Sequence, residues 1–168
     1  MKLNLGCADR HLDGYVNVDI APPADQIVDL AGPWPWPDSS VEEVQALDVC
    51  EHIETVYLDP EGGYYRRVGR IWFMNELHRV LKPGARATIE TPNAARGSGF
   101  YQDPTHVSPW CLSTFKYFES GAFAHQRLSK SYGITAAFKV IRLTERETSG
   151  EDPREKAYKI TAVLEAVK

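Results

Sequence analysis

With 168 residues, 43% of them hydrophobic and 25% charged, the chain is long enough for one domain with a packed core, and its composition excludes a disordered or fibrous protein. A net charge of -4 and a pI near 5.7 give no general attraction for phosphate backbones, and no basic cluster is longer than Arg66-Arg67, so nucleic acid is not an expected partner. The three cysteines, Cys7, Cys50 and Cys111, are scattered and form no C-x-x-C pair, and there is neither an apolar leader nor a membrane-length apolar run. The expectation is a single cytoplasmic domain spanning residues 1–168, without a membrane segment.

Residues 2–5 alternate polar and apolar and stop at Gly6, and residues 15–20 alternate again and stop near Ala21-Pro22-Pro23, which predicts two short strands. A third strand is expected over 26–30 and a fourth over 43–47, after the turn-rich "GPWPWPDSS". In "YYRRVGRIWFMNELHRVLKPG", Val68, Ile71, Met74, Leu77 and Leu81 recur at three- and four-residue spacing, and Lys82-Pro83-Gly84 ends the pattern, so this stretch predicts a helix with a core-facing stripe. The β-rich "ARATIETPN" is expected to break at Pro92. A short helix over 112–120 comes next, and "FKVIRLTERE" and "AYKITAVLEAV" read as a terminal hairpin around "TSGEDPRE". The order predicts an α/β fold, Rossmann-like: a mostly parallel sheet with a C-terminal antiparallel hairpin.

Taken alone, "LGCADR" is a weak signal, because one glycine after a strand is usually a turn. Acids at the next strand ends strengthen it. Asp19 ends the second strand, where a carboxylate can accept hydrogen bonds from both hydroxyls of a ribose; Asp29 and Asp48 come after the third and fourth. A glycine and three acids at successive strand ends would lie along the carboxyl edge of the sheet, the ligand edge of such folds.

Three stretches, "LNLGCADRHLDGYVNVD", "DLAGPWPWPDSSVEEVQALDVCEHI" and "MNELHRVLKPGARATIETPN", occur in the expected order over about the first 93 residues of the chain. On these the chain resembles a small class I S-adenosylmethionine-dependent methyltransferase, of the type 11 or methyltransferase-like group. The resemblance implies that Asn4, Leu5, Gly6, Cys7 and Ala8 pass the methionine part of S-adenosylmethionine and that Asp19, followed by Ile20, holds the ribose. It implies also that Asp29 and Leu30 border the adenine, that Asp48, followed by Val49, lies near the methionine amino group, and that Cys50-Glu51-His52 begin the acceptor side. Such a cofactor brings no pyrophosphate, which suits Ala8 where a dinucleotide loop would carry its second glycine.

The crossovers are short for that family. Six residues separate Ile20 from Ile27, a reach of about 20 Å and too little for a helix, so a minimal fold with shortened N-terminal crossovers is expected. The sequence also begins inside the strand that many members precede with a helix, so the lid over the cofactor must come from elsewhere. A thinly covered sheet face would be an apolar liability, which raises the expectation of a homo-oligomer or a protein partner over it.

Methyl transfer from a sulfonium needs alignment and exclusion of water, and a base when the acceptor is a hydroxyl or a cationic amine. Glu51, His52, Asp103 and His106 are the catalytic candidates. Asp103-Pro104-Thr105-His106 also admits a metal reading, set aside because the sequence shows no further clustered ligands, so no metal is expected. His78 and Glu76, inside the helix, are expected to be structural, whereas Trp34, Trp36, Tyr101, Trp110, Phe115, Tyr117 and Phe118 either line an acceptor pocket or pack. The expected function is methyl transfer to an oxygen or nitrogen of a small molecule or sugar. An inactive methyltransferase-like binding or scaffold subunit is the alternative, and a dinucleotide enzyme is disfavoured by the missing later glycines of G-x-G-x-x-G.

Overall fold

A computed structural model describes residues 1–58, 65–149 and 156–168. Seven strands form one sheet in the order β3-β2-β1-β4-β7-β9-β8: β1 Lys2–Leu5, β2 Val16–Asp19, β3 Gln26–Ile27, β4 Val41–Leu47, β7 Leu81–Gly97, β8 Phe138–Ser149 and β9 Lys156–Ala166. The first five run parallel, and β9 is antiparallel to both β7 and β8. This is the expected mostly parallel sheet with its C-terminal hairpin, whose connecting residues 150–155 lie outside the described ones. A second sheet pairs β5 Val56–Leu58 with β6 Tyr65–Arg67.

The predicted long helix is α1, Gly69–Val80, shorter than its quoted stretch because Tyr65–Arg67 is strand. Its first turn presses on the chain leaving β4: a Cβ on Gly69 would stand 2.2 Å from the Ile53 carbonyl oxygen, so only glycine fits. Met74, Leu77 and Leu81 of the predicted stripe are buried, together with Phe73 and Val80. The third strand has two residues rather than five. Pro92 does not end β7 but marks where its register against β9 shifts, between Pro92 and Gly97. The short helix is α2, Leu112–Phe115, and it is followed by α3, Phe123–Tyr132, which the sequence reading did not predict. No residue of α3 is buried, so it carries no apolar stripe to read, and its sequence mark is the left-handed Gly133 that caps it.

The register divides the sheet into two unlike faces. Leu3, Leu5, Val18, Val44, Ala46, Ala87, Ile89, Ala162 and Leu164 line up on one face and, with α1, Trp34, Trp36, Trp110 and Phe115, build the core. The other face carries Lys2, Glu43, Gln45, Arg86, Thr88, Glu165, Lys159, Glu90, Thr161 and Arg146, several in ion pairs: Lys2–Glu43 at 2.8 Å, Arg86–Glu165 at 3.0 Å and Arg146–Glu90 at 2.9 Å. The short N-terminal crossovers thus leave one face without helices among the described residues, as expected. That face is polar, however, so the apolar liability that motivated a covering partner is not there.

The proline-rich 33–37 segment delivers its two tryptophans to the core, where Trp34 meets Trp36 and Phe73 edge-on at 5.6 Å each. Arg79 of α1 holds the segment in place. Its guanidinium donates to the Trp34 and Trp36 carbonyls, to Asp38 and, in a fork, to the buried Glu76, whose Oε2 also accepts the Trp34 amide. Glu76 is therefore structural, as expected. So is His78, which reaches the Val167 carbonyl at 2.8 Å and whose imidazole burial holds below its ordinary pKa.

Candidate functional site

The carboxyl ends of β1, β2 and β4 carry the predicted cofactor residues. Beyond β1 the backbone turns through Gly6 at φ +64° and Ala8 at φ +45°, and the Cys7 amide returns to the Val18 carbonyl at 3.0 Å. The turn is locked by Asp19, whose two oxygens accept the Ala8 amide at 2.8 Å and the Ile20 amide at 2.7 Å, leaving each oxygen a further lone pair. Leu5 and Cys7 are buried, so that stretch presents backbone rather than side chains.

Asn4 is buried and organises the loop that stands in place of a crossover helix: its Nδ2 donates to the Arg10 carbonyl at 2.7 Å and to Asn17 Oδ1 at 2.9 Å. Asn17 in turn accepts the Leu12 amide and donates to Asp25, holding that carboxyl below its usual range. Asn17 and Asp25 went unnoticed in the sequence, although "NVD" and "PPAD" mark a strand and a turn rich in capping side chains.

Asp48 comes directly after β4 with φ +58°. Its Oδ2 pairs with Lys159 of β9 at 2.6 Å and faces Arg10 at 3.6 Å, while Arg10 also donates to the Leu47 carbonyl at 3.0 Å. Asp48 Oδ1 is buried with no partner among the described residues. Lys159 and Arg10 are site residues that sequence reasoning missed, since 111 positions separate Lys159 from Asp48. Asp29 closes an Asx turn on the Ala31 amide at 2.9 Å. Leu30 packs in the core, and its carbonyl accepts the indoles of Trp34 and Trp72. The apolar surface beside Asp19 comes instead from Ile20 and from Ile27, which pairs with Asp19 in register; they are 68% and 55% exposed.

All four catalytic candidates meet. A 3-10 turn, Cys50–His52, leaves Asp48, and the 98–110 loop docks on it: the Val107 and Ser108 amides donate to the Glu51 carbonyl at 3.0 and 2.8 Å, the Ser108 hydroxyl to the Ile53 carbonyl at 2.7 Å, and the Trp110 indole to the Cys50 carbonyl at 3.3 Å. This brings the His52 and His106 rings to 4.8 Å, edge to face. His52 Nδ1 contacts the Thr105 carbonyl at 3.2 Å and hydroxyl at 3.1 Å, and His106 Nδ1 contacts the Phe100 carbonyl at 2.8 Å. A carbonyl can only accept, so in both rings Nδ1 carries the proton and Nε2 of the neutral imidazole keeps its lone pair.

Asp103 accepts the Thr105 amide and hydroxyl, which hold its carboxyl below the ordinary value, and its other oxygen lies 3.7 Å from His106 Nε2. Glu51 is fully buried. One of its oxygens accepts the Thr91 hydroxyl at 3.0 Å, the other has no partner among the described residues, and burial pushes the carboxyl above its usual pKa.

Trp34, Trp36, Trp110 and Phe115 of the aromatic group pack in the core, Tyr101 is exposed, and Phe118, also buried, shares the wall of a cavity with Tyr117. This apolar cavity of about 260 Å3 between α1, α2 and α3 contains none of the predicted site residues. Of the remaining histidines, His125 bonds the Ala136 carbonyl at 3.0 Å.

No family model and no curated protein matches the sequence. Solved structures do. A candidate methyltransferase from Bacillus halodurans superposes with a TM-score of 0.65 at 13% identity, covering 99% of this chain and 92% of that one. The N-methyltransferase NodS of Bradyrhizobium japonicum, in complex with S-adenosylhomocysteine, gives 0.53 at 11% identity over 99% and 78%. A Haloferax volcanii complex of the Trm112 methyltransferase activator with a candidate methyltransferase gives 0.55 at 12% identity over 99% and 82%. Strand order, hairpin and these likenesses agree: the chain has the fold of the class I S-adenosylmethionine-dependent methyltransferases.

Proposed function

We propose that the chain transfers a methyl group from S-adenosylmethionine to an oxygen or nitrogen of a small molecule or sugar. The observation that carries the reading is the meeting, on one sheet edge, of a strained turn at residues 6–8, the Asp19 carboxylate, Asp48 Oδ1, unpartnered among the described residues, and, three residues further on, a Glu51-His52-His106 cluster. The acceptors fit the cofactor. Asp48 Oδ1 suits an ammonium, the spare lone pairs of Asp19 suit ribose hydroxyls, and Ile20 with Ile27 offers an apolar surface to a base. When bound, S-adenosylmethionine supplies a methyl group already activated on sulfur. The chain then aligns the acceptor and excludes water, and the free Nε2 of His52 or His106 takes the proton of a hydroxyl or cationic amine.

A protein partner belongs to the same reading, supported by the fold neighbour that is complexed with an activator; on the open sheet face such a partner would meet charges. A cytoplasmic setting is supported by three free cysteines. Calorimetric titration with S-adenosylmethionine and S-adenosylhomocysteine tests the proposal. Micromolar binding lost in Asp19→Ala, followed by a methylated product in an acceptor screen read by mass spectrometry, is the expected result. A folded protein that binds neither compound overturns it.

A further inference from the structure

We propose that Glu51, His52 and His106 form a binding site for a divalent transition-metal ion. One ligand atom from each of the three lies within 4.8 Å of the others. Both imidazoles keep Nε2 for a ligand, because their Nδ1 atoms face the Thr105 and Phe100 carbonyls. The fully buried Glu51 carboxyl leaves one oxygen unpartnered among the described residues, and an Asp103 oxygen lies 3.7 Å from His106 Nε2. Imidazole Nε2 atoms and carboxylate oxygens are the ligand types that such ions take.

The arrangement has the marks of a metal site beyond mere proximity. Metal-bound histidines characteristically donate their other ring nitrogen to a carbonyl or carboxylate, which fixes tautomer and orientation. Both rings do so, and the Thr105 hydroxyl extends the His52 contact to Asp103 at 2.6 Å. Two imidazoles and one carboxylate select zinc, cobalt, iron or manganese over magnesium or calcium, which prefer all-oxygen shells. At a bond length of about 2.1 Å, tetrahedral ligand atoms stand about 3.4 Å apart. Ligation therefore draws the three ligand atoms, now within 4.8 Å of one another, closer together. With the ion bound, a remaining open position would take water or an acceptor hydroxyl and lower its pKa, in place of the proton acceptance that Nε2 offers in the metal-free protein. That consequence rests on the proposed methyl transfer, whereas the binding itself does not.

Cobalt titration of tag-free protein, previously stripped with EDTA, tests the site through the visible d–d bands of low-coordinate Co2+, with Zn2+ calorimetry alongside. One equivalent is expected to bind with micromolar or tighter affinity, and to weaken at least 100-fold in His52→Ala, in His106→Ala and in Glu51→Gln, whose neutral amide keeps the shape of the acid. His11→Ala leaves binding unchanged. Circular dichroism shows that each variant is folded, and S-adenosylhomocysteine titration reports the cofactor site separately. Absent bands, or bands that persist in the His52→Ala/His106→Ala double variant, overturn the proposal. Metal uptake without S-adenosylhomocysteine binding would sustain it while overturning the methyltransferase reading.

Discussion

Gly6 gives the sharpest test of how the first turn is built. A Cβ at this position would lie 2.6 Å from Val49 Cβ and 2.7 Å from its Cγ2, in a residue already at φ +64°. Gly6→Ala therefore carries two separable costs: about 1–2 kcal/mol for a left-handed L-residue and about 1–3 kcal/mol for overpacking. Together these come to about 2–5 kcal/mol, or a Tm lowered by roughly 4–20 °C in a chain of this size. Only the second cost depends on Val49. Urea denaturation of Gly6→Ala, Val49→Gly and the double variant closes a cycle in which removing the Val49 side chain returns about 1–3 kcal/mol of the Gly6→Ala loss, the overpacking part. Additivity within about 0.5 kcal/mol would refute the clash and leave backbone strain as the sole reason for glycine.

The Glu51 carboxyl, raised by burial, gives a pH signature in metal-free protein. Above the unfolded glutamate value of about 4.3 the unfolded chain ionises while the native carboxyl resists, so this group's contribution to stability falls as pH rises. Glu51→Gln is accordingly expected to exceed the wild type in Tm at pH 7 and to lose that advantage below about pH 4; a constant difference across the acid range counts against the burial argument. Asp19→Asn keeps one acceptor of two and is expected to weaken S-adenosylhomocysteine by about 10- to 150-fold, equivalent to ~1.5–3 kcal/mol for charge-assisted hydrogen bonds; unaltered affinity by calorimetry would remove Asp19 from the site. Arg79→Ala leaves the buried Glu76 unpaired and frees the tryptophan segment. Its cost approaches the ~3–5 kcal/mol of an orphaned buried partner, reduced because the guanidinium is partly solvated, and is read from the urea midpoint; a midpoint within error of the wild type refutes the clamp.

The elements that sequence announces are those whose own periodicity meets the core. The stripe Met74, Leu77 and Leu81 and the alternation of β1 and β2 were legible for that reason, and strand-end acids come with the strand ends. α3 was not legible because it buries nothing, and β3 was overextended because apolar Val28 and Leu30 leave the sheet for the core side of the next turn. In the site, Asp19 and Asp48 could be seen one strand at a time, whereas Arg10 and Lys159 reach Asp48 only through the fold. The metal reading shows the same limit: Asp103-Pro104-Thr105-His106 lacked companions in sequence, and docking of the 98–110 loop on the Glu51 carbonyl supplies them.

At the far edge of the sheet, β8 shifts register between Val140 and Arg142, so that Ile141 and Arg142 both stand opposite Val163. A twelve-residue edge strand offers a row of unpaired amides and carbonyls, and an extra residue bends that row out of line for any chain that would add to it. Lys139, Arg142 and Arg146 reinforce the mismatch with charge. The extra residue at Ile141 thus disfavours strand addition at this edge: deleting it would restore regular alternation along β8 and leave the edge open to a second strand. Concentration-dependent light scattering that rises in the deletion variant, at unchanged far-ultraviolet circular dichroism, is the expected mark of an edge that has lost its kink.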